Sequence, residues 1–131
     1  MTAPRTDRGD RPTERRAARS PVGLDARFDA PTRERLRRRL LQRGSMLSSL
    51  LADMLAGNDR SWLVAALGFE RPGIRPHEAI RGALDHVERQ RLHLIGGDDR
   101  YGRCDICGAD LGVAALDAMA WADRCASHRA S

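Results

Sequence analysis

The sequence predicts a mainly α-helical protein: a coiled-coil-like antiparallel helical hairpin, then a small cysteine-rich finger, with an arginine-rich tail in front. Three observations predict it. Two segments repeat apolar residues at intervals of three and four, the spacing that lines one face of a helix. The last third holds Cys104-x-x-Cys107 and, seventeen residues on, Cys125-x-x-His128. The first 28 residues offer almost nothing apolar to bury. The expected divisions are a disordered tail over 1–28, a hairpin over 29–97 with an apolar tip at 57–76, and the finger over 98–131.

The tail carries Arg5, Arg8, Arg11, Arg15, Arg16 and Arg19 among Pro, Thr, Asp and Gly, and no aromatic residue precedes Phe28. It reads as a solubilising extension or as a basic arm that meets nucleic acid or an acidic protein face by charge alone. All 23 basic residues of the chain are arginine, against 18 acids, for a formal charge of +5.

A first helix is expected from Asp29 or Thr32 to Ala56, opened by a capping residue and by Pro31 in the first turn. Leu36, Leu40, Leu47, Leu50 and Met54 form its seam, with Arg43 in the one missing place, and Gly57-Asn58 stops it. After Pro76, Ile80, Leu84, Val87 and Leu94 repeat the pattern with Arg91 in the gap, and Gly96-Gly97 ends it. Two such helices bury both seams by folding back on each other as a monomer; a dimer through one helix is the rival geometry. Arg43 and Arg91 are expected at the edge of the seam with buried stems. Arg33, Arg35, Arg37, Arg38, Arg39 and Arg43 give the first arm a positive outer face, either solvated or docked on acidic protein or phosphate. His77, His86 and His93 read as scattered surface residues.

Between the helices, Trp62, Leu63, Val64, Leu67 and Phe69 follow Ser61, a plausible N-cap. This segment reads either as a short third helix folding back on a thin core or as an exposed contact patch. Asp53 and Asp59 are the nearby acids and read as ordinary solvated carboxylates.

In the finger, two Cys-x-x turns each aim two ligands at one point, and Cys104, Cys107, Cys125 and His128 complete a tetrahedron around one Zn²⁺. Three cysteines cannot all pair as disulfides. A filled Cys₃His set leaves no place for water or substrate, so the metal reads as structural. No glycine-rich phosphate loop or nucleophile elbow is present, which argues against an enzyme. No apolar run is long enough to span a membrane, and thiolate ligands suit the reduced cytoplasm.

Tyr101-Gly102-Arg103-Cys104-Asp105-Ile106-Cys107-Gly108, followed by Leu111, Leu116, Ala118, Ala122 and Cys125, resembles the zinc finger of the bacterial DksA/TraR family. That family reads Tyr-Gly-x-Cys-x-x-Cys-Gly-x-x-Ile, then Arg-Leu-x-Ala-x-Pro-x-Ala-x-x-Cys-x-x-Cys. The intervals agree over residues 98 to 128. Ala115 stands at the family's Arg, Ala120 at its Pro and His128 at its last Cys. The resemblance implies a hairpin that enters the secondary channel of RNA polymerase, with its tip near the catalytic magnesium, and hence a transcription regulator. The family's acidic Asp-x-x-Asp-x-Ala tip is not recognisable here. Candidate partner contacts are therefore Arg37, Arg38, Asp59, Trp62 and Phe69. The alternatives from other classes are a zinc-ribbon module gripping nucleic acid with its arginines, and a small protein-protein adaptor using the apolar tip.

Overall fold

Helix α1, Ala30–Leu55, begins where Asp29 turns its carboxylate back to accept the Thr32 N–H at 2.8 Å, with Pro31 in the first turn. The computed structural model describes residues 27–129. A short helix α2, Ser61–Ala66, follows, then α3, Pro76–Ile95, and in the finger α4, Val113–Ala118. At 1.5 Å per residue α1 and α3 are about 39 and 30 Å long. They pack along each other as a hairpin. Among the described residues the sole β-pairing is an isolated antiparallel bridge between Arg103 and Asp110.

The seam read from periodicity is the core. Leu36, Leu40, Leu47 and Leu50 of α1 and Ile80, Val87 and Leu94 of α3 are buried, while Met54 and Leu84 pack at its margin. Both helices stop where expected. The Gly57 N–H donates to Met54 O, and beyond α3 the Asp98 N–H donates to His93 O at 2.9 Å. Gly44, in the middle of α1, faces α3 across from Val87 and Leu84.

The tail assigned to 1–28 needs one correction at its end, since residues 1–26 lie outside the described residues but Arg27 and Phe28 are in place. Phe28 is buried and meets the Tyr101 ring edge-on at 5.8 Å, because the open end of the hairpin needs an apolar plug that neither helix provides. The Arg27 guanidinium stacks on the Phe28 ring and donates to the carbonyls of Asp99 and Tyr101.

The tip folds back, as one of its two readings expected, with Trp62 as the exception. Val64 is buried, and Leu63, Leu67 and Phe69 pack against the core, but Trp62 is 66% exposed. Ser61 is not the cap. Ser61 is the first residue of α2 and Arg60 stands at its cap without a side-chain bond, while Asp59 Oδ1, just before it, accepts from the Ser61 N–H at 2.9 Å and from the Ser61 hydroxyl at 2.7 Å. These bonds, the backbone one foremost, hold the Asp59 carboxyl below its usual range. Asp53 is likewise engaged, with the Arg60 guanidinium at 2.7 Å. Asp59 is exposed, as expected, but bonded to Ser61, and Asp53 is half-buried against Arg60.

Arg43 does more than lie at the edge of the seam. Its guanidinium sits 4.2 Å from the centre of the Trp121 ring and 5.2 Å from that of Phe69, so α1, the finger and the tip segment meet on one side chain. Burial lowers its pKa, a direction that records partial desolvation of the cation. Cation–π contacts of this kind contribute about 0.5–2 kcal/mol. Arg91 instead pairs with Glu88 on its own helix.

Two glycines make opposite predictions. A Cβ at Gly44 would sit in ordinary contact with Val87 Cγ1 at 3.9 Å, so Gly44→Ala should stabilise the protein by about 1 kcal/mol through helix propensity. At Gly102, φ is +74° and a Cβ would lie 2.9 Å from Leu116 Cδ1 and 3.4 Å from Phe28 Cζ. Gly102→Ala should cost at least about 1–2 kcal/mol from the left-handed backbone alone. Thermal melts of the two variants should move in opposite directions. Arg43→Ala and Trp121→Ala should each lower stability, and their double-mutant cycle should return a coupling of about 1 kcal/mol. Additive losses would mean that the two side chains do not meet.

Candidate metal centre

The finger is two tight knuckles set against one apolar support. In the first knuckle the Gly108 N–H donates to Cys104 O at 2.8 Å, and the Cys104 N–H donates to Ala109 O at 2.9 Å. In the second, the His128 N–H donates to Cys125 O at 3.0 Å, which turns the chain so that residues 125 and 128 face one way. Two contacts tie the knuckles together. The Asp105 N–H donates to Asp123 O at 2.8 Å, and Arg124 Nε pairs with Asp105 Oδ1 at 2.5 Å.

The support is built around Tyr101. Its ring is buried, and its hydroxyl donates to Ala120 O at 2.8 Å. Burial pushes the Tyr101 pKa up, so the phenol stays a neutral donor. Leu116 of α4 and Ala120 are fully buried beside it. His86 of α3 holds the next residue, its Nε2 lying 2.9 Å from Trp121 O, and Arg35 of α1 grips Asp117 through Nε at 2.9 Å and Nη2 at 3.2 Å. Both arms of the hairpin thus fix the chain that leads into Cys125.

These supports bring Cys104, Cys107, Cys125 and His128 together, with one ligand atom from each within 4.8 Å of all the others. Cys107 Sγ lies 3.8 Å from Cys125 Sγ, and His128 Nδ1 lies 3.2 Å from Cys125 Sγ and 3.5 Å from Cys104 Sγ. A tetrahedral ion with metal–sulfur bonds of about 2.3 Å and metal–nitrogen bonds of about 2.0–2.1 Å needs edges of about 3.8 and 3.5 Å. The donor set fits such an ion, and Nδ1 is the imidazole atom that would bind.

The electrostatics lean the same way. Burial alone would push the Cys104 thiol up, but the backbone N–H groups of Cys125, Cys107 and Ile106 outweigh it and bring it down to about 6. Hydrogen bonding with Cys125 and then Cys104 raises the pKa of His128. Cys104 and Cys125 are thus drawn toward thiolate, the form that binds metal, whereas Cys107, despite the Ala109 N–H, is held up by burial and by the neighbouring sulfurs, and a metal would displace the remaining protons.

The partner-contact candidates are not gathered into one patch. Arg37 and Arg38 both turn onto Glu34, at 2.7 and 3.2 Å, and these bonds, Arg37's first, hold Glu34 down at about 2. Asp59 bonds to Ser61 at the start of α2 and Phe69 lies against Arg43, while Trp62 and the Arg38 side chain are both broadly exposed. Sequence reasoning missed Trp121, whose one signal is a large ring four residues before Cys125 in a chain only 4% aromatic. It also left His86 and His93 as bare surface. Both are half-buried, and His93 Nδ1 lies 3.1 Å from Asp98 Oδ2.

Comparison of the chain with protein-family models, with curated proteins and with solved structures finds no match. Among the described residues no helix is long and apolar enough to cross a membrane.

Metal removal should unfold the finger and leave most of the hairpin helical, because α1 and α3 pack on each other through Leu36, Leu40, Leu47, Leu50, Ile80, Val87 and Leu94. Site formation in small metal-bound fingers is worth about 10 kcal/mol or more. Cys104→Ser should therefore abolish stoichiometric metal while circular dichroism retains most of the helical signal. His128→Ala should be milder, since water can take the fourth position. A Cys104→Ser protein that melts like the parent would show that the metal does not support the finger.

Proposed function

We propose that this chain is a bacterial transcription regulator of the DksA/TraR type, a monomer without catalytic activity of its own, which binds RNA polymerase through its helical hairpin. One structural Zn²⁺ held by Cys104, Cys107, Cys125 and His128 keeps the finger closed. Zinc is the ion of choice because three thiolates and an imidazole in a closed tetrahedron match its ligand preference, and no position is left for a reacting water. The observation that carries the reading is the arrangement of two ends. A finger with the motif spacing of that family closes one end of the hairpin, and a short helix with an exposed tryptophan caps the other.

The reading places the finger outside the secondary channel as a docking base and sends the tip inward. The residues near the tip set its chemistry. Leu55, Trp62 and Ile74 are exposed there, whereas Asp59 and Asp53 are occupied with Ser61 and Arg60. Contact by apolar packing, without acid-dependent modulation near the active-site magnesium, follows from that inventory. Arg37 and Arg38 share a single carboxylate and keep one net positive charge on the arm for an acidic wall.

Tagged protein should retain RNA polymerase from a bacterial extract after nuclease treatment, and metal analysis should find one zinc per chain. Trp62→Ala should reduce retention at least tenfold, while Asp59→Ala should leave retention near that of the parent, since the bonds it removes are confined to Ser61. Retention that disappears with nuclease would replace polymerase by nucleic acid as the partner. Loss of transcriptional effect in Asp59→Ala at unchanged affinity would restore an acid-dependent mechanism.

A further inference from the structure

Where α1 and α3 meet the segments that carry Phe69 and Trp121, they border a cavity of about 220 Å³ that neither the metal site nor the exposed tip explains. Its lining is of two kinds. Leu47, Phe69, Ala83, Val87 and Trp121 form an apolar wall, and Arg43, Arg71 and His86 bring nitrogen to it. Among the described residues no carboxylate lines this space. The cations are not neutralised from elsewhere either. Arg43 makes no ion pair or hydrogen bond with any described residue, its Nε is buried without a partner, and its contacts are the ring faces of Trp121 and Phe69. Arg71 spends only Nη1, which donates to Gly68 O at 2.9 Å and to Glu70 O at 2.8 Å.

A partly desolvated cation without a counter-ion is costly, and aromatic faces offset only about 0.5–2 kcal/mol of that cost. An anion placed in the cavity would meet two guanidinium groups at once. The planar fork of arginine matches the two oxygens of a carboxylate. The apolar wall then decides which anion fits. A phosphate dianion would give up hydration to hydrocarbon on several sides, whereas an organic acid carries its charge at one end and can turn an apolar body to Leu47, Ala83 and Val87. Sites for drug-sized molecules start at about 300 Å³, so this smaller space limits the body to roughly a single ring or a short chain.

We propose that this cavity binds a small carboxylic acid with an apolar body, its carboxylate held by Arg43 and Arg71 and its body lying against Leu47, Ala83 and Val87. The proposal is independent of the polymerase reading and survives its failure. Benzoate is the probe, titrated into the intact metal-loaded protein at constant ionic strength. In a Trp62→Phe background Trp121 is the sole tryptophan, so its fluorescence reports on the cavity wall directly. Saturable one-site binding is expected, with the largest backbone amide shifts at residues 43–47, 69–71, 83–87 and 121. Arg71→Gln, whose lost bonds go only to the nearby carbonyls of Gly68 and Glu70, should weaken binding at least about tenfold with metal content unchanged. Arg43→Gln should abolish it. Because that change also removes the contacts with Trp121 and Phe69, Ala83→Leu provides the second arm: it fills the space, keeps both arginines and should abolish binding as well. Arg39→Gln, an exposed arginine outside the cavity, should leave binding unaffected. Binding that does not saturate, or that survives both Arg71→Gln and Ala83→Leu, overturns the proposal in favour of diffuse surface charge. Equal affinity for benzamide, the neutral counterpart, overturns the role of the two arginines, and displacement of benzoate by inorganic phosphate at equal concentration overturns the organic-acid assignment.

Discussion

Four ligand atoms from two knuckles seventeen residues apart must meet at one point, and the lower half of this molecule is arranged around that demand. The knuckles cannot hold each other in register alone, since each is only a single turn. Tyr101 supplies the missing rigidity: its hydroxyl bonds to Ala120 O, and its ring packs with Phe28. Those contacts set how far the chain after α4 stands from the chain before Cys104. Leu116 then needs position 102 to have no side chain, because a Cβ there would lie 2.9 Å from Leu116 Cδ1. A finger of this size has little apolar area to bury, so its geometry depends on a few specific bonds and on the ion.

A formal charge of +5 suggests a sticky cationic surface, but the arginines in the described residues are largely occupied within the molecule. Arg35 joins α1 to α4 through Asp117, Arg124 joins the knuckles through Asp105, Arg60 joins the tip to α1 through Asp53, and Arg43 lies between two rings. Exposed ion pairs contribute little individually, about 0–1 kcal/mol. Their value here is geometric. Each links elements that share few apolar contacts, and a planar guanidinium with fixed donors orients its partner better than a flexible ammonium would. Charge that is committed in this way is lost to any external partner.

The hairpin was legible in the sequence because helical burial repeats every three to four residues: Leu36, Leu40, Leu47, Leu50, Ile80, Val87 and Leu94 are apolar where the pattern asks and buried where it predicts. The four clustered ligands were legible because the spacing of cysteine and histidine is itself the chemistry. What escaped were contacts between residues distant in sequence. Nothing local marks Phe28 as the plug of the open end, His86 as the holder of Trp121 O, or Trp121 as the ring beneath Arg43. The N-cap of α2 was misread for a local reason. Ser61 has the side chain of a capping residue, but the helix already includes it, the cap falls on Arg60, and the serine hydroxyl is spent on the Asp59 carboxylate.

Arg43 links the two ends of the molecule, and that has a physical consequence. It occupies a seam position where leucine would bury more apolar area, and Nε is buried with no hydrogen-bond partner among the described residues. Leucine there would pack against α3 alone. The longer arginine passes the seam and reaches Trp121 on one side and Phe69 on the other, trading desolvation of a cation for contact with two otherwise separate segments. Trp121 sits four residues before Cys125, so its placement follows from closure of the second knuckle. Phe69 leads out of α2, so its placement bears on how Trp62 is presented. One guanidinium therefore touches both the segment that leads to Cys125 and the segment that follows α2, and a seam made only of leucines would have left them without a shared side chain.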